Sequence, residues 1–189
     1  MMDPATVSTL VRTFSDPADG QADKSRELVL LLLEQAPQPF SRETFHPGHI
    51  TCSGLVLAPD GERLLLVHHR RLDRWLLPGG HVEPDDASVA YAARREVVEE
   101  TGAVLAADAA SGRLIGMDVH GIPAHRSRRE PYHLHHDLLF YFRAASEELR
   151  ASEESRAVLW CSPSEFDAYL LPGNIRRAWV RVRKLLSSR

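Results

Sequence analysis

The sequence predicts an α/β fold of mixed layers, and three observations carry that prediction. The first 36 residues have a helical pattern, whereas from Ile50 onward short apolar runs alternate with turn residues, as is typical of strands. One strong helix lies between the strands, and helical segments end the chain. The length of 189 residues, with 43% apolar and 26% charged residues, describes an ordinary folded domain.

The N-terminal part reads as two helices. Asp3 is a suitable cap for a first helix with Pro4 in its opening turn, and a second helix should run from about Ala22 to Ala36. We therefore divide the chain into an N-terminal helical extension (1–40) and a main domain (41–189). The apolar run 28–33 is far shorter than the roughly 20 residues of a membrane span. We expect this run to cover apolar surface of its own domain or of a second copy of the chain, and we predict a homodimer.

The main domain begins with a predicted hairpin, in which the strands 50–58 and 63–69 flank the turn PDGE. The segment LDRWLLPGG should be a loop that ends in two glycines. The elements predicted after it are a helix at 87–101 stopped by Gly102, strands at 113–122, 132–142 and 157–161, a helix that starts at the Ser162/Glu165 capping box, and a last helix at about 175–186.

Charge and cysteine content exclude some classes of function. The formal net charge of -3 gives no general attraction to nucleic acid or to anionic membranes. Two cysteines are too few for a disulfide framework, and the first residues lack the pattern of a secretory signal. We therefore expect a cytoplasmic protein that binds neither membrane nor specific nucleic acid.

The chemistry is concentrated on the helix 87–101. Glu96, Glu99 and Glu100 are spaced i, i+3, i+4, so their carboxylates share one helix face. Such a stripe is often only solvated surface, but three close like charges are also suited to a hard divalent cation such as Mg²⁺. The preceding Gly79–Gly80 pair favours the second interpretation, because it permits close backbone approach. Arg95 is placed to pair with Glu99 and hold its orientation.

These residues resemble the Nudix box. Gly80, the Arg95–Glu96 pair, the Glu99–Glu100 pair and Gly102 match the positions of that motif. The resemblance extends over about residues 48–170 and implies a Nudix-type α/β/α sandwich with a mixed β-sheet. The sequence departs from the pattern by one extra residue between Gly80 and Arg95. It also has Asp85 and Asp86 where the family has its middle Glu, which leaves the loop conformation open.

The resemblance implies a hydrolase that cleaves a nucleoside diphosphate linked to another moiety X, with Mg²⁺ or Mn²⁺ as the cofactor. It implies metal ligands, catalytic residues and substrate contacts at several positions. The metal ligands are Glu96, Glu99, Glu100 and the Gly80 carbonyl, with Arg95 as a further catalytic residue. The general base is either Glu99 or one of Glu153 and Glu154. Arg71, Arg74 and His81 are the candidates for contacts with the substrate phosphates.

The segment HLHHD places His133, His135 and Asp137 on one face of a strand, with His136 opposite. This spacing suits a transition metal. The sequence shows no cysteine nearby and no second well-spaced pair, so we expect these residues to line the substrate cleft or to pack as ordinary polar groups.

Two other functions remain open from the sequence. A non-catalytic member of the same fold would bind a metabolite without cleaving it, although loss of a box glutamate would be its usual sign. An isomerase of isoprenoid diphosphates would use a cysteine as proton donor, and Cys52 is available. A hydrolysis assay with and without Mg²⁺ separates the first alternative from the hydrolase.

Overall fold

A computed structural model describes residues 2–187, which form four α-helices and seven strands. The helices are α1 (Pro4–Thr13), α2 (Gly20–Gln35), α3 (Val89–Thr101) and α4 (Gly173–Ser187). The strands are β1 (Gly48–Leu57), β2 (Leu64–His69), β3 (Arg74–Leu76), β4 (Gly79–His81), β5 (Arg113–Ile122), β6 (His133–Arg143) and β7 (Ser155–Cys161). The predicted α/β fold is confirmed.

The strands form one mixed sheet in the order β3-β2-β1-β6-β5, with β4 paired to β1 and β7 paired to β2. The central strands β1 and β6 run parallel, whereas the other pairs are antiparallel. The parallel register sets His49 beside His135 and Thr51 beside Asp137. Residues that are distant in the chain thus meet at one end of the sheet.

Helices cover both faces of this sheet. Side chains of α1, α2 and α3 share one core with alternate residues of β1, while α4 packs into a second core on the other face. The predicted α/β/α layering is therefore observed. None of the helices formed by residues 2–187 combines the length and apolarity that crossing a bilayer requires.

Three local predictions differ from the structure. The segment 72–80 contains β3 and β4 rather than a loop, because Trp75 pairs with His68 on β2 and the Gly79–Gly80 backbone lies against β1. A Cβ on Gly79 would come within 2.6 Å of the Cys52 carbonyl oxygen, so the close pairing of β4 needs glycine there. Neither contact is visible in local hydrophobic periodicity.

The helix predicted from Ser162 shrinks to a 3-10 turn, Pro163–Glu165, although its capping box forms as expected. The chain after it forms turns and reaches a left-handed φ of 52° at Leu170. The Arg176 guanidinium donates hydrogen bonds to the carbonyl groups of Phe166 and Leu171, at 2.9 and 2.8 Å, and holds this segment. The predicted hairpin also forms only at its tip, where Leu57 pairs with Leu64.

The leucine run of α2 covers its own domain. Leu32 and Leu33 are buried in the core, while Leu28 and Leu31 stay exposed. The N-terminal helices thus share a core with the sheet. The boundary at residue 40 and the homodimer stay predictions.

Asp19 joins the N-terminal helices to α4. It caps α2 through the Ala22 N–H, and its carboxylate accepts hydrogen bonds from Arg177 and Arg181 at 2.7 and 2.8 Å. Burial alone would raise the pKa of Asp19, but the hydrogen bonds from Arg181 and Arg177 outweigh it and hold the pKa below its ordinary value. This carboxylate therefore stabilises the fold most at pH values at which it is ionised.

We expect Asp19→Asn to lower the free energy of unfolding by about 2 kcal/mol or more at pH 7. The substitution removes the buried negative charge that pairs with both Arg177 and Arg181. Because the folded pKa is depressed, the stabilisation is present above the unfolded pKa of about 3.9 and is lost as pH falls through the folded value. Urea unfolding from pH 6 to pH 3 checks this. Asp23→Asn, in the first turn of the same helix, is the control, and an equal loss in both variants would contradict the assignment.

Candidate active site

The helix α3 brings its three glutamates to the edge of β4. Ser88 caps the start of this helix through the Tyr91 N–H, and Gly102 ends it in the left-handed conformation. Glu100 is only 7% exposed and accepts a hydrogen bond from the Gly79 N–H at 2.9 Å. The carboxylates of Glu96 and Glu99 follow on the same face, as the sequence spacing predicted.

Gly80 lies directly against Glu96. A Cβ at Gly80 would lie 2.6 Å from the Glu96 carboxylate carbon, so only glycine leaves room for the carboxylate there. The Glu96 carboxylate thus lies against the Gly80 backbone, near the Glu100 carboxylate that Gly79 holds. This set of oxygen donors fits a hard divalent cation such as Mg²⁺ or Mn²⁺.

The electrostatics of the cluster also favour a cation. Burial raises the pKa of Glu100 to about 7, and the charges of Glu96, Glu154 and Glu99 add to this effect against the Gly79 hydrogen bond. Burial likewise raises the pKa of Glu96, although Arg95 counteracts it. Burial is thus the main cause of both raised pKa values, and the like charges of the neighbouring glutamates add to it; a bound cation would favour the ionised carboxylates.

Arg95 connects the helix to the preceding loop. Its guanidinium donates to Glu96 and Glu99 at 2.9 and 3.1 Å, which gives the predicted pairing with Glu99. It also donates to the His81 carbonyl at 2.9 Å and to both oxygens of Asp86. One planar group thus sets the positions of two of the glutamates relative to the strand β4.

Asp86 is a site residue to which sequence reasoning gave no role. Its carboxylate is 6% exposed, pairs with Arg95 at 2.9 and 3.0 Å, and accepts a hydrogen bond from the Glu83 N–H at 2.8 Å. It thereby anchors the lengthened loop to α3. The sequence did carry a signal for it, because Asp85 and Asp86 stand where the box has its middle Glu.

The downstream acidic loop approaches the same carboxylates. The Ser152 N–H donates to the Glu100 carbonyl at 3.2 Å, and the charge of Glu154 contributes to the raised pKa of both Glu96 and Glu100. Glu153 also lines the cleft, but its recorded contact is a backbone one, in which its carbonyl accepts from Arg70. Glu154 is therefore the one of this pair that acts on the cluster.

A cleft of about 2260 Å³ passes in front of these groups. Arg71, Arg74 and His81 all line it, together with the glutamates. Arg71 lies 3.8 Å from the Glu130 carboxylate and is partly exposed, so it is accessible to an anionic ligand. Trp75 of β3 packs between His68 and Tyr169.

The HLHHD segment is oriented as predicted, with His136 on the opposite face. Asp137 lines the cleft and accepts hydrogen bonds from Thr51 and Ser53, each at 3.0 Å. His133 and His135 meet His49 of β1, and His135 also meets His81 of β4. His49 carried no signal in the sequence, because only the parallel pairing of β1 with β6 brings it here.

Cys52 faces away from the cleft. Its neighbours Thr51 and Ser53 line the cleft, whereas Cys52 is fully buried in the core and burial raises the pKa of its thiol. This position does not suit the proton donor of an isomerase.

Comparisons with known proteins agree on one family. The model of the NUDIX domain matches residues 47–182. A MutT-like protein of Streptomyces ambofaciens is 32% identical over 136 residues, which cover 72% of this chain and 77% of that protein. A putative 8-oxo-dGTP diphosphatase of Bacillus subtilis is 26% identical over 123 residues, 65% of this chain and 73% of its own. A solved NUDIX hydrolase from Nitrosomonas europaea superposes with a TM-score of 0.52 at 19% identity, over 71% of this chain and 88% of that structure.

Proposed function

The chain belongs to the Nudix family of hydrolases, and we propose that it is a Mg²⁺- or Mn²⁺-dependent pyrophosphohydrolase of a nucleotide-type diphosphate. The observation that carries this proposal is the cluster of Glu96, Glu99 and Glu100 on one face of α3 inside a large cleft, with Glu96 and Glu100 against the Gly79–Gly80 backbone. Oxygen donors in that arrangement, with a surplus of negative charge, are the environment in which a divalent cation and substrate phosphates share a site.

The three glutamates and the Gly80 carbonyl would hold the cation, which would polarise the phosphate oxygens and lower the pKa of a water molecule. Arg95 acts as a positioning residue, since it orients Glu96 and Glu99 against the loop. A carboxylate must accept the proton of the attacking water. We assign this role to Glu154 in preference to Glu153, with Glu99 as the other candidate.

The cleft also suits a nucleotide. Arg71 and Arg74 offer guanidinium groups to phosphate oxygens on the side of the cleft that carries β3. The relative from Bacillus subtilis is named for a nucleoside triphosphate substrate, which is consistent with this class.

The test is a hydrolysis assay on a panel of nucleoside triphosphates, nucleotide sugars, dinucleoside polyphosphates and ADP-ribose. We expect at least one of them to release a nucleotide product with Mg²⁺ or Mn²⁺, and the reaction to stop in excess EDTA. Calorimetry on the same panel provides the comparison. Tight binding of a compound that is never cleaved would reject the enzyme and identify a metabolite-binding protein.

A further inference from the structure

Five histidines meet at one end of the cleft, on four adjacent strands of the sheet. They are His49 on β1, His81 on β4, His120 on β5, and His133 and His135 on β6. The ring centres of His49 and His135 are 4.9 Å apart, those of His49 and His81 are 5.1 Å apart, and those of His81 and His135 are 5.4 Å apart. So dense a group of imidazoles at a cleft needs a physical explanation.

The ring nitrogens of three members converge. One nitrogen each of His49, His81 and His135 lies within 4.8 Å of the other two. Nδ1 of His49 lies 3.1 Å from the Thr44 carbonyl oxygen, which can only accept, so Nδ1 carries the hydrogen. Nε2 of His49 is then left with a lone pair. It is buried and has no hydrogen-bond partner in the described part of the chain.

The surrounding contacts have the pattern of outer-shell partners at metal sites. A carbonyl or carboxylate that holds one ring nitrogen of a histidine leaves the other free to bind a metal ion. Thr44 does this for His49, the Pro131 carbonyl does it for His133 at 2.9 Å, and the Asp118 carboxylate contacts Nδ1 of His120 at 3.0 Å.

The buried Nε2 of His49 is an acceptor without a donor, which is unfavourable in a protein interior. A cation held by His49, His81 and His135 would satisfy this nitrogen, since one ring nitrogen of each residue converges on the same space.

We propose that His49, His81 and His135 bind a transition-metal ion of the zinc type, at a site separate from the carboxylate site of α3. Zn²⁺ accepts imidazole nitrogen at about 2.0–2.1 Å, so the three ring nitrogens, now within 4.8 Å of one another, would draw closer together around the ion. Three histidines leave a fourth coordination position open to the cleft, where an anionic oxygen of a ligand can enter. Mg²⁺ prefers oxygen donors, and the two sites therefore select different metals.

Zinc binding is tested without substrate, on protein purified without a histidine tag, stripped with EDTA and dialysed. Calorimetry with Zn²⁺ and elemental analysis should give about one tightly bound ion per chain, and Co²⁺ should give the visible bands of a low-coordinate nitrogen site. His81→Ala and His135→Asn should each weaken binding of Zn²⁺ by at least about tenfold. His125→Ala removes a histidine outside the cluster and should bind as the unmodified protein does.

Glu100→Gln distinguishes zinc bound by the histidines from zinc bound at the carboxylate site. This variant should keep its affinity for Zn²⁺ even if it loses hydrolysis. Circular dichroism shows whether each variant folds. If His135→Asn does not fold, the effect of His81→Ala on zinc binding decides the test. The proposal is overturned if the unmodified protein binds no zinc. It is equally overturned if zinc binding survives both histidine substitutions, or disappears in Glu100→Gln. Failure of the hydrolysis assay would leave these outcomes unaffected.

Discussion

Glu99→Gln and Glu100→Gln should each reduce kcat by at least about 100-fold, because each removes a carboxylate from the set that would hold the divalent cation. Such an ion supplies several kcal/mol of transition-state stabilisation, and each 1.36 kcal/mol corresponds to about tenfold in rate. Glutamine keeps the shape of the side chain, and at position 100 it keeps an oxygen that can accept from the Gly79 N–H. The fold should therefore survive, and the Mg²⁺ concentration needed for half-maximal rate should rise.

The measurement is steady-state hydrolysis of the best substrate over a range of Mg²⁺ concentrations, with thermal unfolding as a check on the fold. Glu34→Gln, an exposed carboxylate on α2 remote from the cleft, is the matched control. Full activity in both Glu99→Gln and Glu100→Gln would contradict the proposed ligands.

In the same assay Glu154→Gln should lose more activity than Glu153→Gln, and the reverse order would reject Glu154 as the base.

Arg95→Ala should lower the free energy of unfolding by about 3 kcal/mol or more, and hydrolysis should fall with it. The guanidinium is 19% exposed and is the cation paired with the buried Asp86, so its removal leaves a charge without its partner inside the protein. Asp86 holds the pKa of Arg95 above its ordinary value, as this strong pairing requires. Glu96 and Glu99 lose their common donor at the same time.

Urea unfolding in EDTA measures this effect without a contribution from bound metal. The double variant Asp86→Ala/Arg95→Ala should be less destabilised than the sum of the two single changes, by about 0.5–3 kcal/mol, because it removes both charges together. Arg94→Ala removes the neighbouring, exposed arginine and should have little effect. Additive losses in the double variant would mean that Asp86 and Arg95 are not coupled.

The outline of the fold could be predicted because it depends on local pattern. The helix α3 and the long strands β1, β5 and β6 each have a clear hydrophobic period and recognisable ends. The strands β3 and β4 were missed because they are three residues long and are held by pairing with β1 and β2. The helix after Ser162 was overpredicted because its capping box starts only a 3-10 turn, and the chain reaches a left-handed φ of 52° at Leu170.

The carboxylate cluster was determined by the sequence alone. Glu96, Glu99 and Glu100 lie within two turns of one helix, so helical geometry puts them on one face whatever surrounds them, and Arg95 reaches Glu99 for the same reason. The histidines His49, His81 and His135 are different, because they come from three separate strands. Only the parallel register of β1 with β6, and the pairing of β4 with β1, decided that they meet. Strand pairing depends on contacts between distant segments, which no local pattern encodes.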